Sequence, residues 1–242
     1  MNVSIITGAG SGIGRACARS LAGRGDYVAC ADLDLQAAQA TVAELAHGSA
    51  HQLDVRDADA CDALVEKVVR HIGPIGALVA SAGIEIAAPA HELSNEAWLR
   101  TLDINLNGVF WSARAVGRSM IQTGTGGAMV LIGSINSQIA LSSQAAYCAS
   151  KGGVLMLGKA LAIDWAPHAI RVNVIGPGVV DTPMSAKSLG SQERRHSLMQ
   201  RIPLGRPAQP EEIGALAAFL TGVDSAYLTG AYLPLDGGWL AG

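Results

Sequence analysis

The stretch that most restricts this 242-residue chain is its opening. The apolar run Val3–Thr7 leads directly into Gly8-Ala9-Gly10-Ser11-Gly12-Ile13-Gly14, and helical character follows over Ile13–Arg24. An apolar run bounded by glycines reads as a buried strand. A glycine cluster after it predicts a tight turn in which backbone N–H groups and a helix N-terminus can approach a pyrophosphate. The spacing is GxxxGxG, on Gly8, Gly12 and Gly14, and not GxGxxG; no Lys-Ser/Thr pair follows, so it is not a P-loop. The turn is therefore expected to hold a dinucleotide.

The rest of the chain keeps the same rhythm. Tyr27–Asp32, Ala77–Ala80, Ala128–Gly133 and Arg171–Ile175 are short apolar strand candidates. Helical patterns separate them over Gln36–His47, Asp57–His71, Ser94–Met120 and Ser143–Trp165. The clearest helix places Cys61, Leu64, Val65, Val68, Val69 and Ile72 at three- and four-residue steps, with Asp57 as its N-cap. Alternating strands and helices make right-handed βαβ units. The expected class is α/β: a Rossmann-type doubly wound parallel sheet with helices on both faces and strands apolar throughout. One domain, 1–242, is expected. Its one irregular stretch, Val179–Pro210, reads as a substrate lid around 179–210.

Composition removes several classes. With 17 Lys+Arg against 20 Asp+Glu, the chain lacks the basic footprint of a nucleic-acid binder. No apolar run reaches the ~18 residues of a membrane span. Met1–Thr7 lacks a basic region ahead of its apolar run, so no signal peptide is read there. Cys17, Cys30, Cys61 and Cys148 are scattered, and no histidine stands at metal spacing; reduced thiols, a cytoplasmic location and no metal are expected. Charged residues make up 15%, against about 25% in an average soluble protein, a first hint of subunit contacts.

Two further features concern chemistry. Asp32 ends the second strand about 20 residues past the glycine loop, where an acid binds the adenosine ribose 2′-hydroxyl; Asp34 can cap the helix that follows. Tyr147 and Lys151 are four apart on one helical face, and Ser134 closes a strand. A phenol with pKa ~10 accepts protons poorly at neutral pH, and a neighbouring ammonium lowers it. Cys148 points about 100° away from Tyr147 and reads as a packed thiol.

On these motifs the chain resembles the short-chain dehydrogenase/reductases over essentially its whole length. The matching residues are Thr7–Gly14, Asp54-Val55, Asn105 within Ile104–Phe110, Ser134, Tyr147–Lys151, Arg171-Val172-Asn173, Pro177-Gly178 and Leu235–Gly238. The resemblance implies strand order 3-2-1-4-5-6-7, a homotetramer, and hydride transfer between nicotinamide and a secondary alcohol or ketone. It implies Tyr147 as acid/base, Lys151 lowering its pKa and holding the nicotinamide ribose, Ser134 orienting the substrate oxygen, and Asn105 anchoring a proton-relay water. Cofactor contacts are expected from Gly8, Ser11, Gly12, Ile13, Gly14, Asp32, Leu33, Asp54, Val55, Ser81, Ala82, Gly83, Tyr147, Lys151, Pro177, Gly178, Val180 and Thr182. Ser81-Ala82-Gly83 departs from the family's Asn-Ala-Gly, whose Asn ties strands together. Asp32 and the absence of a basic residue at Ser11 favour NAD. Substrate contacts are expected from Ser134, Asn136, Gln144, Tyr147, Met184 and Glu85, under an apolar cover of Met184, Leu189, Leu198 and Met199 and without aromatic walls. A small neutral polyol, sugar or diol fits such a site; an acidic substrate held by Arg194 or Arg195 is the alternative. The rival readings are a 3-oxoacyl-carrier-protein reductase and, in another class, a non-catalytic NAD(H) sensor, which would lack the Tyr/Lys pair.

Overall fold

The structure, a computed structural model, describes residues 1–190 and 192–242; the side chains of Lys187, Ser188 and Arg194 lie outside the described residues. The chain alternates β1 (Val3–Thr7), α1 (Gly12–Gly23), β2 (Tyr27–Asp32), α2 (Leu35–Val42), β3 (Gly48–Gln52), α3 (Ala58–His71) and β4 (Ile75–Ala80). It continues through α4 (Asn95–Leu102), α5 (Gly108–Thr123), β5 (Gly127–Ile132), α6 (Ala145–Trp165) and β6 (Ile170–Pro177), then α7 (Ala186–Gly190), α8 (Gln192–Met199), α9 (Pro210–Thr221) and β7 (Tyr232–Leu235). The seven strands form one parallel sheet in the order β3-β2-β1-β4-β5-β6-β7.

Successive strand residues point to opposite faces, and both faces are apolar here. Ile5, Leu78, Met129 and Val172 pack with α3, α5 and α6 on one side. Their neighbours Ile6, Val28, Val79 and Val130 pack with α1, α2 and α9 on the other. Covered on both faces, the inner strands need no polar side, which is why they read as largely apolar runs.

Three boundaries differ from the sequence expectation. The pattern over Gln36–His47 is a helix only to Val42, and β3 follows as an edge strand of Gly, Ser, Ala, His and Gln, whose composition carries no strand signal. The pattern over Ser94–Met120 is interrupted at Asp103–Asn107 by a π-helical turn, a local widening that often marks a functional position. The stretch 179–210 is not irregular throughout, since α7 and α8 lie within it.

Candidate active site

The segments that follow β1 to β6 converge on a cavity of about 480 Å³ at the carboxyl ends of the strands. The strand order reverses there, β1 lying between β2 and β4, which is where open α/β sheets bind ligands. Of the expected catalytic, cofactor and substrate contacts, all but Asn105 line this cavity.

The glycine loop forms its floor. Gly8 has φ +68°, and a Cβ there would stand 2.8 Å from the Ala82 backbone. A side chain at Gly14 would collide with the Gly8 carbonyl. The bare backbone between β1 and α1 is thus a steric requirement that leaves room for a phosphate-bearing ligand against the start of α1. Thr7 Oγ1 accepts hydrogen bonds from the Ser81 and Ala82 amides at 3.2 and 3.3 Å, so β1 and β4 are tied together with Ser81 where the family has Asn.

Asp34 caps α2 by accepting from the Gln36 and Ala37 amides, which leaves Asp32 free of that task. The Asp32 carboxylate accepts from the Gly10 amide at 2.8 Å and the Asp34 amide at 3.0 Å, and it lines the cavity. Leu33 beside it is exposed. The nearby cation Arg15 is tied to the Gly10 carbonyl and to Thr41 Oγ1, and it is not part of the lining. Asp54 pairs with Arg56 at 2.5 Å, and this pairing holds its carboxyl below the usual range.

At the other end of the cavity, bonds between side chains and backbone fix the segment around Ser134 and Lys151. Ser134 Oγ accepts from the Asn136 amide at 3.1 Å. Ser137 Oγ accepts from the Ser134 amide and donates to the Lys151 carbonyl at 2.8 Å. The Tyr232 hydroxyl on β7 donates to the Ser134 carbonyl at 2.8 Å. Lys151 is 4% exposed; its Nζ donates to the Ile132 carbonyl at 2.8 Å and stands 5.6 Å from the Tyr147 ring centre. Burial pushes Lys151 down to about 8 and Tyr147 up to about 12. The Ser134 hydroxyl opposes the rise at Tyr147 and the Glu85 carboxylate adds to it. Desolvation is the largest cause acting on the Tyr147 phenol, and Lys151 is not among the groups that shift it here.

Asn105 is fully buried in the π-helical turn, behind the cavity wall. Its amide accepts from Ile84 N and donates to Ile84 O, each at 2.8 Å, and reaches Ser150 Oγ at 3.2 Å. Ser150 in turn donates to the Tyr147 carbonyl at 2.7 Å. Asn105 thus braces the segment after β4 against the helix that bears Tyr147.

The substrate wall joins Asn136, Gln144 and Glu85. Asn136 Nδ2 donates to Gln144 Oε1, and Gln144 Nε2 donates to Glu85 Oε1. Desolvation raises the Glu85 carboxyl, and the Gln144 bond works against that rise. Met184 and Leu198 line the cavity; Leu189 and Met199 do not, and Met199 packs instead beside Ile202 and Trp239. The expectation of no aromatic wall fails at Trp239, which is 4% exposed, lines the cavity and lies under the Arg201 guanidinium at 4.4 Å. Nothing in the spacing around Leu235–Gly238 marks the tryptophan after it. Arg195 is exposed and outside the lining, and the Arg194 side chain is outside the described residues.

A family model described as enoyl-(acyl carrier protein) reductase matches residues 8–240. A D-threitol dehydrogenase from Mycolicibacterium smegmatis is 42% identical over 241 residues, covering 98% of this chain and 92% of that one. A short-chain type dehydrogenase/reductase from Mycobacterium marinum superposes with a TM-score of 0.95 at 32% identity, over 100% of this chain and 96% of that one. A gluconate 5-dehydrogenase from Burkholderia cenocepacia, solved with NADP and tartrate, gives 0.94 at 32% identity over 100% and 96%. Sequence, sheet order and cavity agree: the chain belongs to the short-chain dehydrogenase/reductase family.

Proposed function

We propose that the chain is an NAD-dependent dehydrogenase that oxidises a secondary hydroxyl of a small neutral polyol, sugar or diol. The reading rests on one observation: Ser134, Tyr147 and Lys151 line the same cavity as the glycine loop, beside a wall of side-chain amides. The similarity to a D-threitol dehydrogenase supports the substrate class. Gly8 to Gly14 would hold the pyrophosphate, Asp32 the adenosine ribose, Asp54 and Val55 the adenine, and Pro177, Gly178, Val180 and Thr182 the nicotinamide end.

Bound NAD would accept the hydride leaving the carbinol carbon. The chain handles the proton. Ser134 Oγ holds the substrate oxygen against the Tyr147 phenol. Tyr147 takes the hydroxyl proton as the carbon–oxygen bond becomes a carbonyl, and Lys151 stabilises the phenolate and holds the ribose. Asn105 acts as a positioning residue through Ser150. The segment 179–210, with Met184 and Leu198 facing the cavity, serves as the cover that excludes water. A homotetramer in the cytoplasm completes the proposal.

The test is a panel of polyols, diols, sugars and hydroxy acids assayed by NADH formation. Turnover of a neutral polyol with NAD, reduced at least 10³-fold in Tyr147→Phe while NADH still binds, is the expected result. A tenth or more of wild-type activity in that variant would refute the role of Tyr147.

A further inference from the structure

The wall beside the reacting oxygen has a direction. A carboxylate at Glu85 can only accept hydrogen bonds. Gln144 must therefore turn its Nε2 toward Glu85 and its Oε1 toward Asn136, and Asn136 must answer with its Nδ2. The Asn136 amide is held further because Nδ2 also reaches Cys148 Sγ at 3.4 Å. Both N–H groups of Asn136 are thus engaged, and its Oδ1 has no donor among the described residues. The same holds for the second Glu85 oxygen. What the wall offers a substrate is mainly acceptors.

We propose that Glu85 is the specificity-determining residue of this wall: by fixing which way the Gln144 and Asn136 amides face, it receives the hydroxyl donors of a neutral polyol and turns away a substrate that carries a carboxylate. The proposal rests on the polyol reading and deepens it. The charges around the cavity agree with it. Asp54 is paired with Arg56, Asp32 is engaged at the glycine loop, and Lys151 is committed to the Ile132 carbonyl. Arg100 also reaches the lining but forms no ion pair with Glu85 among the described residues. Among the described residues no cation pairs with Glu85, and none is among the causes that shift its carboxyl. A hydroxyl facing this wall finds an acceptor, whereas a carboxylate oxygen meets mainly other acceptors and a like charge, against one unengaged N–H of Gln144. A site built to bond a hydroxyl discriminates strongly because a mismatch leaves its own polar groups unpaired.

The experiment compares threitol with threonate, in which a terminal hydroxymethyl is replaced by a carboxylate, in the wild type, Glu85→Gln and Gln144→Leu. NADH affinity is measured by fluorescence as the control on folding. Glu85→Gln keeps the shape but removes the charge and frees both amides to invert. The kcat/KM ratio of threitol to threonate is expected to fall at least tenfold in Glu85→Gln, with the threitol loss in KM and NADH affinity unchanged. Gln144→Leu should lower the ratio as well, and the double variant should add little to either, because the two residues act as one unit. A ratio within twofold of wild type in either single variant that still binds NADH and oxidises threitol would overturn the role of Glu85 and leave the polyol reading standing. A wild type that prefers threonate, or oxidises no polyol, would overturn both.

Discussion

In the proposed NAD-dependent reading, Asp32 selects the cofactor by charge. The phosphate that distinguishes NADP would bring about two negative charges to a carboxylate already held by the Gly10 and Asp34 amides. One unit pair at 4 Å and an effective dielectric of 20 is worth about 4 kcal/mol. Screening reduces that, and each 1.4 kcal/mol is tenfold, so kcat/KM should favour NAD over NADP by about 100-fold. Equal values would sink the assignment. Tyr147, pushed up to about 12, keeps its proton at pH 7. Oxidation needs the phenolate, so kcat/KM for alcohol oxidation should rise with pH between 6 and 10; a flat or falling profile would contradict a phenol base. Lys151 carries a cost for its role. Its folded value of about 8 lies below the ordinary 10.5, so holding the charged form in the fold costs about 3 kcal/mol below pH 8. Between pH 8 and 10.5 the native state sheds that proton first, and stability should rise with pH. Lys151→Met should raise Tm by several degrees near pH 7, less what the unpaired Ile132 carbonyl loses, and abolish turnover. A lower Tm would show that its bond to Ile132 outweighs the desolvation.

Among the elements, β7 has a part in the site that its short apolar sequence does not suggest. Its Tyr232 hydroxyl holds the Ser134 carbonyl, so Tyr232→Phe leaves that carbonyl unpaired and should lower kcat several-fold with a smaller change in KM. A fall in Tm without a change in kcat would make the bond structural only. The glycine loop, the end of β2, the Asn136–Gln144 wall and the Tyr147/Lys151 helix were legible in the sequence because each depends on local spacing. β3 was not, since an edge strand of small and polar residues takes its structure from pairing with β2. The π-helical turn was hidden because Asp103–Asn107 continues the helical pattern on either side. Trp239 escaped for a different reason: its place in the wall depends on Ile135, about a hundred residues before it, and Ile202, about forty before it, contacts visible only once the chain has closed.

At the scale of the whole molecule, Met156 and Ile163 on α6 and Val223 and Tyr227 after α9 stand well out of the surface. Together with the low charge content, they support the proposed homotetramer. Light scattering at micromolar concentration should give a mass near four times 24.8 kDa, and a 24.8 kDa species would contradict it. The two ends of the chain meet very different surroundings. At the amino end, Asp26 gathers Asn2, Ser4 and Arg24 into a polar knot at the foot of the sheet, and Met1 projects beyond it into solvent. At the carboxyl end, Asp236 abuts Gly178 and Trp239 is itself part of the cavity wall. A purification tag or a tether to a solid support therefore belongs on Met1; the same addition after Gly242 would pull on the reaction chamber itself.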